Sequence, residues 1–238
     1  MEIIVDLCNQ HHGSLSELKR MTLNAFSAGA DVVKVQLMDS EKYFGTQDRK
    51  YRDIAKKDFF KWYSFCSTLG IEAMASIFDE ERLEWTQEVG MKRHKIASRL
   101  VVDSPDLCQK ILADNKPTII STGKIERLSF PFGFDNGRIK YLFCVSKYPT
   151  KLYDPDLNMM PHQFHEKQYA GYSDHTIGIA AVLEAYNRGA SIIEKHYSNN
   201  INAQSQFEGA HACSFDAASL KTYKDLVKEL NILNGRLT

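Results

Sequence analysis

With 238 residues and 43% hydrophobic content, the chain can bury one large core, and a single domain over residues 1–238 is the expectation. Thirty basic residues balance thirty acidic ones without any block of like charge, which argues against a nucleic-acid or membrane surface and for small-molecule partners. Five scattered cysteines without Cys-x-x-Cys spacing, and no run approaching the roughly 20 apolar residues of a membrane span, exclude a disulfide framework and point to a reducing, cytoplasmic setting.

Residues 2–8 are rich in β-branched side chains and read as a strand that begins at once, with no basic or long apolar leader before it. The polar turn Asn9 to Gly13 follows, and Ser14 is placed to cap the next helix. Residues 15–28 carry Leu15, Leu18, Met21, Leu23 and Phe26 at helical spacing and stop at Gly29. Residues 31–36 are a buried strand bearing Lys34 and Gln36, followed by a long polar loop through Tyr51. A helix over 58–69 ends at Gly70; its Phe59, Phe60, Trp62, Tyr63 and Phe65 form a face that docks on a core. Alternation then continues: strand 72–77, helix 79–89, strand 93–98, helix 104–113, strand 117–122.

Between Thr122 and Ile139 the expected helix is missing, because Phe130-Pro-Phe-Gly-Phe-Asp-Asn-Gly137 is too rich in turn formers. Strand 139–146, a weakly helical piece near 159–164, a strand closing at His175, a helix, a strand closing at His196 and a last helix over 216–233 complete the chain. Eight βα units in this length predict an α/β fold, a (β/α)8 TIM barrel with one abbreviated crossover after strand 5 and with function at the carboxyl ends of its strands. An open doubly wound sheet is the alternative, but no Gly-x-Gly-x-x-Gly or P-loop follows any strand.

The predicted strand ends carry Asp6, Lys34, Gln36, Ser76, Lys95, Ser98, Ser121, Thr122, Ser146, Ser173, His175, Glu194 and His196. Hydroxyls interleaved with two buried lysines suit a phosphate or carboxylate anion, since each acceptor oxygen receives a charge-assisted hydrogen bond. His175 and His196, at neighbouring parallel strand ends, suit either a divalent metal or a general acid/base pair. Blander roles compete: the lysines can be ion-paired with Asp6 or Glu194, the serines can fill tight turns, His11 and His12 can cap a turn, and Cys8 and Cys144 can simply pack.

The motifs Asp6-Leu-Cys-Asn-Gln-His-His-Gly-Ser14, Gly29-Ala-Asp-Val-Val-Lys-Val-Gln36, Lys95-Ile-Ala-Ser98, Lys116-Pro-Thr-Ile-Ile-Ser-Thr-Gly123, Cys144-Val-Ser-Lys-Tyr-Pro-Thr150, Gly171-Tyr-Ser-Asp-His-Thr-Ile-Gly178 and Glu194-Lys-His196 resemble, in order and over nearly the whole chain, those of the sialic acid synthase family. The resemblance implies a barrel that condenses phosphoenolpyruvate with an aldehyde sugar to a 2-keto-3-deoxy sugar acid, using manganese or magnesium. It implies His175 and His196 as metal ligands, and Lys34, Lys95, Ser98, Ser121, Ser146 and Ser173 around phosphoenolpyruvate. Gln36 and Tyr148 fall on the sugar side, and Asp6 is assigned to orient water or a sugar hydroxyl. A homodimer is left open.

The departures fall mainly on the sugar side. Asp6 stands where the family has glutamate, Cys8 for glycine, Ser146 for asparagine, Arg99-Leu100 for an acidic residue, Ser76-Ile77-Phe78 for Ser-Thr-Pro-Phe, and Gly209-Ala210-His211 for Pro-Asp-His. The chain stops after its eighth helix, whereas members that make sialic acid continue into a small antifreeze-like domain. A different aldehyde is therefore expected. A non-catalytic anion-binding relative and a Schiff-base pyruvate aldolase are the alternatives.

Overall fold

The computed structural model describes residues 1–235. Among these, eight parallel strands pair in sequence order, and the last returns to the first to close a barrel. They are β1 (Glu2–Cys8), β2 (Val32–Leu37), β3 (Glu72–Ile77), β4 (His94–Ile96), β5 (Thr118–Ser121), β6 (Ile139–Cys144), β7 (Gly171–Asp174) and β8 (Ile192–His196). The predicted (β/α)8 barrel is the observed fold.

Strand periodicity determines what the barrel encloses, because alternate residues face the interior and the surrounding helices. Outward residues such as Ile3, Val5, Val33, Val35 and Ile193 join the large core between strands and helices. Inward, Ile4, Val32, Met74, Ile119, Leu142 and Ile192 form a separate apolar floor. Two residues further along the same strands stand Asp6, Lys34, Ser76, Ser121, Cys144 and Glu194. One step of the strand period therefore turns a dry floor into a layer of charges and hydroxyls.

The outer ring comprises α1 (Leu15–Ser27), α2 (Ser40–Phe44), α3 (Lys56–Leu69), α4 (Glu80–Glu88) and α5 (Ser98–Asp103). It continues with α6 (Pro105–Ala113), α7 (Pro155–Asn158), α8 (Ala180–Asn187), α9 (Ile201–Phe207) and α10 (Ala217–Leu233). Ser14 caps α1 as expected, its side chain accepting from the Glu17 amide. The aromatic run of α3 docks through Phe59 and Trp62, both fully buried, with Trp62 Nε1 donating to Thr22 Oγ1 at 2.8 Å.

The chain departs from the sequence reading in its loops. The polar stretch after β2 folds into α2, capped by Asp39, and a 3-10 turn at Gln47–Arg52, capped by Thr46. The stretch before the predicted 104–113 helix is itself helical, and Pro105 at the first position of α6 separates it from α5. The piece expected at 159–164 lies instead at α7, where Asp154 caps and Pro155 opens a single turn. After β8, α9 and a 3-10 turn at Gly209–Cys213 fold over the mouth side.

The abbreviated crossover is present between β5 and β6, which holds only a 3-10 turn at Asp135–Gly137. Aromatic packing covers the barrel there: Phe130 lies 4.9 Å from Tyr141 and 5.3 Å from Tyr169, ring centre to ring centre, and Phe134 lies 5.4 Å from Tyr141. No helix among the described residues is long and apolar enough to cross a membrane.

Closure between β7 and β8 depends on a missing side chain. A Cβ on Gly171 would sit 1.9 Å from the Ile192 carbonyl oxygen, a backbone atom that cannot rotate away. Gly171→Ala is expected to cost about 1 to 3 kcal/mol of stability by forcing the two strands apart; denaturant unfolding measures it, and a change below about 0.5 kcal/mol would contradict this packing.

Candidate active site

The site begins with an irregularity at the end of β1. Its register against β2 slips between Asp6 and Cys8, and Cys8 takes a φ of 51°. The Cys8 amide consequently turns back and donates to Asp6 Oδ1 at 2.8 Å. Asp6 Oδ2 accepts from Lys34 Nζ at 2.5 Å and from Gln36 Nε2 at 3.1 Å. Burial alone would raise the Asp6 pKa, but Lys34, His196 and these hydrogen bonds hold it down to about 2. Lys34 also donates to Ser76 Oγ at 2.9 Å, and the attraction of Asp6 and Glu194 outweighs its own burial, so its pKa is raised.

A second lysine sits across the barrel. Lys95 Nζ donates to Ser121 Oγ at 2.7 Å and to the Ile96 carbonyl at 2.9 Å. Here burial outweighs the attraction of Glu194 and its pKa is lowered. Glu194 lies between the two ammonium groups, 3.6 Å from Lys95 and 3.9 Å from Lys34. Its Oε1 accepts from Ser173 Oγ at 2.9 Å, while its buried Oε2 has no hydrogen-bond partner. Two lysines and two carboxylates thus form one buried, formally neutral layer.

Above this layer the two histidines meet edge to face, ring centres 5.3 Å apart. His175 Nδ1 lies 2.9 Å from the Val145 carbonyl, which fixes the tautomer and leaves Nε2 with its lone pair. Burial opposes the His175 imidazolium, but Cys144, 3.8 Å from Nδ1, and the carbonyl raise its pKa overall. His196 is the reverse case: burial, with His175 and Lys34 nearby, lowers its pKa to about 3 against the pull of Asp6, 4.0 Å away. Its Nδ1 is buried without a partner. Tyr148 covers both rings, at 4.2 Å from His175 and 5.8 Å from His196.

These groups open into a cavity of about 270 Å³, just under the roughly 300–1,000 Å³ of most small-molecule sites. Gln36, Ser98, Ser146, Tyr148 and His196 line it. Ser98 Oγ accepts from the Gly123 amide at 3.0 Å, and Ser146 approaches so closely that a Cβ on Gly123 would lie 2.4 Å from its hydroxyl. Asp6, Lys34, Lys95, Ser121, Ser173 and His175 lie immediately behind this lining, with Lys34 and Lys95 each only 1% exposed. Both ammonium groups are engaged by acceptors of the protein.

Asp6, Lys34, Gln36, Lys95, Ser98, Ser121, Ser146, Tyr148, Ser173, His175 and His196 therefore fall in one of two adjoining layers, whereas the Thr122 hydroxyl donates to the Leu142 carbonyl at 3.1 Å and lies outside the cavity. Glu194 and Ser76 also belong to the inner layer, and their strand-end positions were the available signal. The sequence offered no signal for Glu208, which arrives on the loop after α9, accepts from Asn9 Nδ2 at 3.0 Å, pairs with Arg52 and lies 3.7 Å from His211 Nε2.

A model of the NeuB family matches residues 21–237. The chain belongs to the NeuB family. A relative from Legionella pneumophila, N,N'-diacetyllegionaminic acid synthase, is 27% identical over 98% of this chain and 73% of its own length. Pseudaminic acid synthase from Helicobacter pylori is 28% identical, covering 96% of this chain and 74% of that protein. Among solved structures, the N-acetylneuraminic acid synthetase of Leptospira borgpetersenii, in complex with citrate, superposes with a TM-score of 0.83 at 25% identity, covering 99% of this chain and 85% of that one.

The buried histidines of this NeuB-family chain give a pH signature. Burial lowers the pKa of His196 to about 3 and those of His11 and His211 to about 4. The unfolded chain binds these protons below about 6.5 while the folded one does not, so stability falls as pH drops from about 6.5 toward 4, by up to roughly 1.4 kcal/mol per pH unit for each histidine. His175, with its raised pKa, opposes part of this. Urea unfolding without added metal should show the decline, and His211→Gln should reduce its slope; an unchanged slope would contradict the burial assignment.

Proposed function

We propose that the protein condenses phosphoenolpyruvate with an aldehyde sugar to form a 2-keto-3-deoxy sugar acid and inorganic phosphate, with a divalent metal, manganese or magnesium. The observation that carries this reading is the layer of Lys34, Lys95, Asp6 and Glu194 directly beneath the His175–His196 pair, inside a NeuB-family barrel. The sugar-acid synthases among its relatives support the reaction class. In the same reading, residues 1–238 act as one catalytic domain in the cytoplasm.

The donor set fits a metal held by few protein ligands. Among the described residues no three His, Cys, Asp or Glu side chains form a metal cage. His175 is tethered through Nδ1 to a backbone carbonyl, an arrangement that orients an imidazole ligand, and His196 is neutral with a buried Nδ1 that no protein group occupies. The two histidines would hold the ion, with substrate or water oxygens completing its shell. When bound, it would supply Lewis-acid polarisation of the aldehyde carbonyl.

The reaction forms a bond from C3 of phosphoenolpyruvate to the aldehyde carbon, while a water oxygen adds at C2. One water proton ends on the former carbonyl oxygen. The other leaves with phosphate as the bond between C2 and the phosphate-ester oxygen breaks, and the water oxygen remains as the C2 ketone. Lys34 and Lys95 would exchange their serine acceptors for phosphate and carboxylate oxygens, and Ser98, Ser121, Ser146 and Ser173 would supply hydroxyl donors. Gln36 and Tyr148 would face the aldehyde. Asp6, held near pKa 2, is a poor base, so its part is to fix the Lys34 ammonium and orient the water.

Phosphate release should require phosphoenolpyruvate, an aldehyde and manganese or magnesium together, and should stop on chelation. His175→Ala and His196→Ala should each abolish it, and Lys95→Gln should lower kcat by about 10²- to 10³-fold. Tight phosphoenolpyruvate binding with no turnover across four- to six-carbon aldoses would favour a non-catalytic anion-binding protein. Borohydride trapping of pyruvate on a lysine would instead indicate an aldolase.

A further inference from the structure

The mouth of the cavity is cationic in a way that the inner site does not require. Arg49, Arg99 and Lys124 all line it and are exposed. Neighbouring cations are matched, Lys50 with Glu41 and Arg52 with Glu208. Among the described residues, however, no carboxylate lies within ion-pair distance of Arg49, Arg99 or Lys124. Glu208, already held by Arg52, is the one carboxylate among the described lining residues.

These cations stand on an aromatic wall. The Arg49 guanidinium lies 4.4 Å from the centre of the Phe44 ring. Tyr43 packs edge-on against Phe44 at 4.9 Å and against Phe78 at 5.3 Å. Arg99 sits beside the Tyr43 hydroxyl, which donates to Asp103 at 3.2 Å. Such a wall accepts the apolar face of a sugar ring while the guanidinium groups reach past it.

Charge accounting separates this rim from the first substrate. The buried layer is neutral by itself, and a divalent ion on the histidines would offset most of the charge of phosphoenolpyruvate. Three unmatched cations further out exceed what remains. A neutral sugar would leave them facing water and one another.

We infer that the second substrate is an aldehyde carrying a phosphate or carboxylate at the end remote from its carbonyl, held by Arg49, Arg99 and Lys124. This rests on the function proposed above for the inner site. The anion takes charge-assisted hydrogen bonds from the two guanidinium groups and the ammonium, and the body of the molecule lies along Tyr43, Phe44 and Phe78.

The test uses the full chain with manganese and phosphoenolpyruvate, and three alditols that lack the reactive aldehyde: the reduced forms of mannose, mannuronate and mannose 6-phosphate. Calorimetry at low ionic strength should show one or both anionic alditols binding at least about tenfold more tightly than the neutral one. The carboxylate and phosphate arms identify which anion is preferred. The preference should weaken with added salt and disappear in the Arg49→Ala, Arg99→Ala, Lys124→Ala variant, whose altered residues are all exposed. Equal affinities, no measurable binding of any alditol, or a preference that survives the triple substitution would overturn the inference. Loss of phosphoenolpyruvate affinity in that variant, with sugar discrimination intact, would also overturn it by assigning the rim to the first substrate. If phosphoenolpyruvate itself fails to bind while the anionic preference holds, the proposed reaction fails and the rim assignment stands.

Discussion

Four buried charges set the terms for this barrel. Lys34 and Lys95 can remain inside only because Asp6 and Glu194 lie between and beside them: Lys34 donates to Asp6, Glu194 lies within ion-pair distance of both lysines, and Ser76, Ser121 and Ser173 supply the remaining hydrogen bonds. Removing one partner from such an arrangement leaves an uncompensated buried charge, a loss of about 3 to 5 kcal/mol, whereas the intact set contributes little net stability. A layer that costs this much to bury and returns so little to folding is better explained by chemistry than by architecture. The β1 irregularity serves the same layer, since it turns the Cys8 amide onto Asp6 and so occupies the oxygen that Lys34 does not use.

The two histidines stand on top of this layer under opposite influences. His196 is kept neutral by burial, and His175 is oriented by a backbone carbonyl and shaded by Tyr148. Strand register sets His196 beside Asp6 across β1 and β8, two positions above Glu194 on the same face, while the segment after β6 supplies the Val145 carbonyl that orients His175. The pocket is therefore a vertical sequence of apolar floor, neutral charged layer and imidazoles, each separated from the next by one strand period. Outside it, the loops after β2, β4, β5 and β8 bring a rim of different chemistry.

The inner part of this arrangement was legible in the sequence because strand ends can be read by periodicity. Asp6, Lys34, Lys95, Ser121, Ser173, His175 and His196 each close a β-rich run, and a closed parallel barrel brings such ends together whatever the loops do. Glu194 was visible at the same kind of position, both among the strand ends at the mouth and as an ion-pair partner for a lysine. The rim was not legible. Arg52, Glu208 and His211 meet through α9 and 3-10 turns whose paths no periodicity encodes, and α5 hides where a strand was expected to run on through Ser98. Pro155 and Asp154 carried a capping signal for α7 that hydrophobic spacing alone places several residues too late.

The most direct measurement is a crystal structure with manganese and phosphoenolpyruvate bound. The account predicts anomalous density for manganese in contact with His175 and His196, and phosphoenolpyruvate beside it on Lys34, Lys95 and their serines, with the lysine–serine bonds opened. Manganese bound elsewhere, or phosphoenolpyruvate confined to Arg49, Arg99 and Lys124 while the lysines keep their serine partners, would contradict it.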